Sequence, residues 1–156
     1  MMRIGVISDT HGNVSAIRKV IRAAGEVDGW IHLGDNFTDA GFLESDVPVY
    51  AVGGNCDYDG ENELVIGLGG ARVLITHGHF YGVRQSPQKL LYHAEELGCK
   101  AALFGHTHVP VLDEEGEILL LNPGSPSIPR DGSKRSFALL YIDENGNVDA
   151  DLMQIE

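Results

Sequence analysis

Apolar residues in the first third of the chain form short blocks that alternate between strand and helix patterns. The β-branched run at residues 3–8 is typical of a buried strand. Residues 14–24 place apolar side chains at helical spacing and end at Gly25, which predicts a helix with a glycine stop. The same criteria predict strands at residues 30–33 and 48–52 and a short helix near 38–45. Strands and helices therefore alternate up to residue 52.

Strand patterns dominate the remainder of the chain. Residues 63–68 and 71–76 are apolar runs separated by two glycines, which predicts a hairpin. Residues 86–97 predict a helix, since a serine can cap it and a proline fits its first turn. The acidic run at residues 113–115 is typical of a solvent-exposed turn. Further strands are predicted at residues 101–105, 117–122, 136–142 and 148–155.

Roughly nine strands and three helices indicate an α/β (α+β) fold. Two packed, mostly mixed sheets with helices outside would satisfy this count, and so would one twisted sheet of nine strands. The length of 156 residues predicts a single domain spanning 1–156. Apolar residues make up 43% and charged residues 22% of the chain, values that are normal for a soluble globular protein.

Charge and cysteine content exclude several classes of protein. The chain has 11 basic and 23 acidic residues, a net charge of −12, which argues against non-specific nucleic-acid binding and binding to anionic membranes. Two cysteines are too few for a disulfide framework. The start of the chain lacks the apolar stretch of a signal peptide, and no apolar window is long enough to span a membrane. We therefore expect a cytoplasmic protein with free thiols.

Side chains that can bind metal ions follow five of the predicted strands. They are Asp9 and His11, Asp35, Asn55, His77, and His106 with His108. Sites in open α/β sheets lie at the carboxyl ends of strands. Four imidazoles, two carboxylates and one amide oxygen are too many ligands for one tetrahedral zinc ion. Shared between two ions with Asp35 bridging, they leave positions for water and substrate, as two-metal catalysis requires.

The donor atoms of this set also limit the choice of metal. Nitrogen and oxygen ligands without a thiolate suit manganese, iron, zinc or nickel better than copper(I) or an iron–sulfur cluster. We expect two divalent metal ions as cofactors, with manganese as the first choice and iron, nickel, zinc and magnesium as alternatives.

The order of these blocks resembles the signature of the calcineurin-like metallophosphoesterases. The blocks are Asp9-x-His11, Gly34-Asp35, Gly54-Asn55, His77 and Gly105-His106-x-His108. The segment Asn122-Pro-Gly-Ser125, with Pro129-Arg130, is similar to the short bacterial and archaeal phosphodiesterase branch. Five blocks in the right order are a far more specific signal than any one of them alone. The resemblance implies a four-layer αββα sandwich with a two-metal centre at one edge of the sheets.

The resemblance further implies a ligand set and a reaction. Asp9, His11 and His108 would hold one ion, Asn55, His77 and His106 the other, and Asp35 would bridge. The expected enzyme is a phosphoric ester hydrolase, with phosphodiesters as the first choice of substrate. In the implied reaction, a hydroxide that bridges the ions attacks phosphorus on the side opposite the leaving alkoxide. Its expected partner is a small phosphoester substrate rather than a membrane, and a homodimer is suggested by resemblance alone.

One position departs from the pattern of many relatives. They carry a histidine directly after the Gly-Asn pair, where it assists the leaving group, whereas this chain has Cys56. A thiol with a pKa of about 8.5 is a poor substitute for an imidazolium donor. Cys56 is therefore expected on the leaving-group side of the substrate and outside the metal ligand set.

Several other polar residues have competing interpretations. Four loop residues near the predicted ligands could contact substrate or ligands, or could be ordinary loop residues: His79, Arg130, Asp39 and Asp57. His32 lies inside a predicted strand and is expected to be a hydrogen-bonded core histidine. His93 lies on a predicted helix and is expected at the surface.

One alternative to a phosphoesterase stays open from the sequence, and the sequence argues against a second. A weakly active or non-catalytic scaffold could share the fold with a decayed metal motif, but here every ligand position is filled. A relative of the metallo-β-lactamases would need a His-x-His-x-Asp-His block, which this chain lacks.

Overall fold

Ten strands and three helices make up the computed structural model, which describes residues 1–43 and 46–156. The strands are β1 (Met2–Ile7), β2 (Gly29–His32), β3 (Val49–Ala51), β4 (Glu63–Leu68), β5 (Ala71–Thr76), β6 (Ala101–Leu103), β7 (Val111–Glu115), β8 (Ile118–Asn122), β9 (Ser136–Ile142) and β10 (Val148–Gln154). The helices are α1 (Val14–Ala24), a 3₁₀ helix (Phe37–Leu43) and α2 (Gln88–Glu96). No helix among the described residues has the length and apolar character needed to cross a membrane.

The strands form two five-stranded sheets. The first has the order β10-β9-β1-β2-β3, with β1, β2 and β3 parallel and β9 antiparallel to both of its neighbours. The second has the order β4-β5-β6-β8-β7, with β5, β6 and β8 parallel and antiparallel strands at both edges. Each sheet therefore directs the loops that follow three parallel strands to one end.

Three apolar clusters define four layers. Between the sheets, Val6 of β1 packs in one cluster with Ile75 of β5 and Leu103 of β6. On the outer faces, α1 packs with its Ile17 and Val20 against the first sheet, and α2 packs against the second. Alternation along the strands produces this arrangement, since neighbouring side chains point to opposite faces of a sheet. The predicted αββα sandwich of two mixed sheets is confirmed, and the alternative of a single sheet is wrong.

The sequence interpretation was wrong for the acidic run at residues 113–115. This run lies in β7, an exposed edge strand that pairs with β8, and the turn is at Gly116 instead. Charged side chains are common on edge strands because they discourage pairing with other chains. The helix predicted near 38–45 is a 3₁₀ helix up to Leu43, and residues 44–45 lie outside the described residues.

Candidate metal centre

Loops from both sheets converge at one edge of the sandwich and bring the seven predicted ligands into one cluster. One compact group of donor atoms consists of Asp9, His11 and His108, and a second of Asp9, Asp35 and His77, with all donors in a group within 4.8 Å of one another. Asn55 Oδ1 lies 3.1 Å from His77 Nε2 and 3.1 Å from His106 Nδ1. Asp9 belongs to both compact groups and Asp35 to one, so the bridging role of Asp35 stays a prediction.

Asp9 contributes an oxygen that has no hydrogen-bond donor. Its Oδ2 accepts from Ser8 Oγ at 2.7 Å and from the backbone N–H of His106 at 3.0 Å. Its Oδ1 is buried, has no hydrogen-bond partner among the described residues, and lies 3.2 Å from His108 Nε2 and 3.7 Å from His77 Nε2. A buried carboxylate oxygen without a partner is costly, which indicates that a cation belongs at this position.

The two histidines facing Asp9 are oriented as metal ligands. His77 Nδ1 donates to the carbonyl of Leu33 at 2.7 Å, and His108 Nδ1 donates to the carbonyl of Ile128 at 2.6 Å. A neutral imidazole that donates through Nδ1 presents an unprotonated Nε2. The Nε2 lone pairs and the carboxylate oxygens are then all acceptors directed at one another. This arrangement fits divalent metal ions, which need such ligands fixed by outer hydrogen bonds.

The electrostatics of the site favour positive charge between the carboxylates. Burial lowers the pKa of His77, but Asp35 and Asp9 beside it outweigh burial and raise that pKa above its usual value. Burial raises the pKa of Asp35, but the contacts from His77 and Cys56 hold it well below its usual range. Burial, with His77 and Arg84 nearby, lowers the pKa of His106 to about 4, so this imidazole is neutral at neutral pH. A neutral imidazole can ligate a metal ion.

The backbone carrying these ligands is strained. Among the described residues, six non-glycine residues have a positive φ, and five of them are predicted ligands: Asp9 (56°), His11 (49°), Asp35 (48°), His106 (71°) and His108 (62°). A residue with a side chain in this region costs about 1–3 kcal/mol and persists only where the surroundings hold it. The fold therefore gives up stability to direct these side chains into one cluster.

Two further aspartates hold the ligand-bearing loops. Asp39 is buried and accepts from Thr10 Oγ1 at 2.6 Å and from the N–H of Gly12 at 2.7 Å, which fixes the loop after β1. Asp57 accepts the backbone N–H groups of Asp35, Phe37 and Gly54 at 2.9, 2.9 and 2.8 Å. Asp39 and Asp57 therefore position the loops that carry the ligands.

The Asn122–Ser125 segment connects loops from both sheets. Ser125 Oγ donates to the carbonyl of Asp9 at 2.8 Å and accepts the N–H of Ile128 at 2.9 Å. Asn122 Nδ2 donates to the carbonyl of Gly105 at 3.1 Å. These hydrogen bonds fix the loop after β1 relative to the loop that carries His106 and His108.

His32 is a core histidine, as its position in a strand predicts. It is fully buried, its Nδ1 accepts the N–H of Gly34 at 3.1 Å, and its Nε2 lies 3.0 Å from Thr10 Oγ1. Burial lowers the pKa of His32 to about 4. His32 therefore supports the loop after β1 in its neutral form.

The lowered pKa of His32 predicts a pH dependence of stability. The unfolded chain binds this proton near its ordinary pKa of about 6.5, whereas the folded chain does not bind it until the pH reaches about 4. The contribution of His32 is therefore present above pH 6.5 and is lost as the pH falls to 4, by up to about 3 kcal/mol. We expect urea unfolding with chelator present to show a steeper acid loss for the wild type than for His32→Gln. Parallel curves for the two proteins, or an NMR titration of His32 near pH 6.5, would contradict this.

The remaining candidate residues have different surroundings. Cys56 is exposed, and its N–H donates to Asp35 Oδ1 at 3.0 Å. Partial desolvation of its thiol, together with the nearby Asp35 carboxylate, raises the pKa of the thiol. The ring of His79 lies 5.4 Å from that of His77, and its buried Nδ1 has no hydrogen-bond partner in the part of the chain that the structure describes. The backbone N–H of Arg130 donates to the carbonyl of His108 at 3.4 Å, and its exposed side chain has no hydrogen bond or ion pair within residues 1–43 and 46–156.

His93 differs from its expectation as a surface residue. It is half-buried and lies 2.7 Å from Glu63 Oε2, and the hydroxyl of Tyr81 donates to the other oxygen of Glu63. The helical pattern predicted its helix but gave no information about β4, which supplies Glu63.

Sequence reasoning missed Arg84. Its Nε donates to His106 Nε2 at 3.0 Å and its guanidinium also lies 3.4 Å from the His106 carbonyl. The side chain is exposed, and within the described part of the chain it forms no ion pair with a carboxylate. The available signal was an arginine in the loop that follows His77, in a chain with few basic residues.

Comparison with known proteins agrees with this geometry. The calcineurin-like phosphoesterase superfamily domain matches residues 2–145. The probable metallophosphoesterase YsnB of Bacillus subtilis is 35% identical over 147 residues, covering 92% of this chain and 86% of the relative. Phosphodiesterase YfcE of Escherichia coli is 31% identical over 171 residues, covering 92% and 89%. A crystal structure of a predicted phosphoesterase from Streptococcus pneumoniae has a TM-score of 0.84 at 35% identity, covering 98% and 89%. This chain belongs to the calcineurin-like phosphoesterase superfamily.

Proposed function

We propose that this protein is a metal-dependent phosphodiesterase that hydrolyses small phosphoesters. The observation that carries the proposal is the buried, unpaired Oδ1 of Asp9, which faces the Nε2 atoms of His77 and His108. The superfamily and the name of YfcE, a phosphodiesterase, support the reaction class.

The proposed cofactors are two divalent metal ions, with manganese as the first choice. Asp9, His11 and His108 would hold one ion, Asn55, His77 and His106 the other, and Asp35 would bridge. When bound, the ions supply Lewis acidity, which activates water and stabilises the charge that develops on the phosphate. The hydrogen bond that Ser8 donates to Asp9, and those that His77 and His108 donate to the carbonyls of Leu33 and Ile128, keep the ligands in one orientation. Little reorganisation is therefore needed on binding.

Two residues outside the ligand set have proposed roles toward the substrate. Arg84 brings a guanidinium to the rim beside His106, where it can bind a phosphate oxygen, and none of the carboxylates in residues 1–43 and 46–156 pairs with it. Cys56 follows Asn55 on one turn, and its raised pKa keeps the thiol protonated at neutral pH. A protonated thiol is a weak hydrogen-bond donor, so it gives limited help to a departing oxygen.

The proposal predicts that turnover requires metal. We expect the purified protein to hold up to two ions per chain and to hydrolyse bis(p-nitrophenyl) phosphate faster than p-nitrophenyl phosphate. Chelation should abolish both rates, and Mn²⁺ should restore them. Full activity in a sample shown by elemental analysis to be free of metal would refute the mechanism. Two bound ions with no turnover of either ester would favour a non-catalytic scaffold instead.

Cys56→His should broaden the range of leaving groups. An imidazolium with a pKa of about 6.5 is a better general acid near neutral pH than a thiol, and such help is worth about 10²–10⁴-fold when the geometry is right. The gain should be larger for an alkyl ester, whose alkoxide needs a proton, than for a nitrophenyl ester. The measurement is the ratio of the two rates, with metal content determined in parallel.

Cys56→Ser is the matched control because it keeps a small neutral donor at the same position. Its rate ratio should remain near that of the wild type. An equal gain on both esters in Cys56→His, or a loss of metal, would assign Cys56 a different role.

A further inference from the structure

Aromatic rings form a continuous strip from the metal centre to the surface. The ring centroid of His77 lies 5.1 Å from that of His106 and 5.4 Å from that of His79, and the His79 ring lies 4.2 Å from the Phe80 ring. Exposure rises along the strip, since His77 is fully buried and Phe80 is 70% exposed. One end of the strip is therefore part of the proposed phosphate site and the other is open to solvent.

The loop that carries Phe80 is held in place by its other residues. The next residue, Tyr81, donates its hydroxyl to Glu63 and its backbone N–H to the carbonyl of Gly78 at 2.9 Å. Val83 is buried and packs in the apolar cluster of α2. Phe80 is thus an exposed ring on an anchored loop, with the His79 ring against it.

A substrate bound through its phosphate must extend its substituents over the residues that border the site. On the His106 side the border consists of Arg84, which donates to His106 Nε2 at 3.0 Å, and of His79, whose ring lies 6.1 Å from that of His106. Arg84 suits the charged phosphate, whereas the neighbouring His79 and Phe80 rings offer stacking surface. Planar heterocycles stack on such rings regardless of their hydrogen-bonding pattern.

We propose that His79 and Phe80 form a subsite for a planar aromatic or heterocyclic group attached to the substrate phosphate, as in a nucleotide ester. This inference rests on the proposed function, because it needs a phosphate held at the metal centre. It narrows the substrate class to phosphoesters with at least one planar substituent.

Adenosine 5′-monophosphate and ribose 5-phosphate are the probes, since the sugar phosphate carries a hydroxyl group where the nucleotide carries its planar base. Dissociation constants are measured by calorimetry on the Mn²⁺-loaded protein. The wild type should bind the nucleotide at least about fivefold more tightly than the sugar phosphate. Phe80→Ala should remove this preference and leave the affinity for ribose 5-phosphate unchanged. Tyr92→Ala is the matched control, because Tyr92 is a 62% exposed aromatic residue on α2, and it should keep the preference.

Several other outcomes would overturn the inference. Equal wild-type affinities for the two compounds, or an unchanged preference in Phe80→Ala, would show that Phe80 does not hold the base. If light scattering showed that Phe80→Ala converts a dimer to a monomer with the affinity ratio unchanged, the rings would be a contact between copies of the chain. If neither compound binds the loaded protein, the proposed function fails together with the subsite. Binding of both compounds with equal affinity overturns only the subsite.

Discussion

Asp35→Asn is expected to lose at least one metal equivalent and to lower turnover at least about a hundredfold, with the fold retained. Asp35 Oδ1 accepts the N–H of Cys56 at 3.0 Å, so the new amide keeps its oxygen there. Its NH₂ group then takes the place of Oδ2, 3.3 Å from His77 Nε2. The amide would donate to the lone pair that a metal ion needs. Elemental analysis and the rate on a nitrophenyl diester measure the two losses.

Two further variants, Asp9→Asn and Asp149→Asn, test whether Asp35 is the carboxylate that bridges the two ions. In Asp9→Asn the same reasoning places the NH₂ group toward His108, because Oδ2 accepts from Ser8 and His106. If Asp35 bridges, its variant should lose both ions and Asp9→Asn mainly one. The reverse result would make Asp9 the bridge, in line with its membership of both compact donor groups. Asp149, exposed on β10, is the control whose replacement should change neither metal content nor rate.

Gly105→Ala should disrupt the same centre through steric contact alone. A Cβ at this position would lie 2.1 Å from Ser8 Oγ and 2.7 Å from Asp9 Oδ2, too close for either atom to stay where it is. Gly105 does not have a positive φ, so alanine meets no backbone penalty there. We expect metal affinity to fall at least about tenfold and the free energy of unfolding to fall by about 1–3 kcal/mol. Metal titration and urea unfolding of the metal-free protein provide the two values.

Gly67→Ala is the matched control for this substitution. Gly67 lies in β4, also lacks a positive φ, and an added Cβ there would have no atom within 4 Å. Its replacement should leave metal affinity unchanged. Wild-type metal affinity and stability in Gly105→Ala would show that the Ser8 and Asp9 side chains move away without consequence, which would argue against a fixed ligand geometry.

The topology explains why the ligands could be predicted from the sequence and the contacts that support them could not. Each ligand lies in the loop that follows a parallel strand, and parallel strands bring their carboxyl ends to one edge of a sheet. The type and order of the ligands could therefore be predicted. The hydrogen bonds that hold these loops could not be predicted in this way. Asp57 accepts the N–H groups of Asp35 and Phe37, about 20 residues earlier, and a side chain that caps a distant loop has no local pattern.

The same limit applies to Arg84 and to the edge strand β7. Arg84 reaches His106 because the loop after β5 is held against Glu63 of β4 and the apolar cluster of α2. The acidic residues of β7 form a strand because β8 offers a free edge, although their own propensity favours a turn. In both cases the deciding partner lies in another element.

By itself, the sequence determined the alternation of elements, the two hairpins and the metal-capable side chains at the strand ends. These features depend on local spacing, because side chains repeat with a period of 2 residues in a strand and 3.6 in a helix, and both periods can be recognised within one segment of the chain. Tertiary structure alone decided that two sheets form instead of one, that Asp9 Oδ1 is left without a donor, and that Phe80 stands beside the centre. Those outcomes depend on which loops meet, and packing between residues far apart in the chain sets this. The hydrogen bond from Ser125 to Asp9, for example, joins residues 116 positions apart.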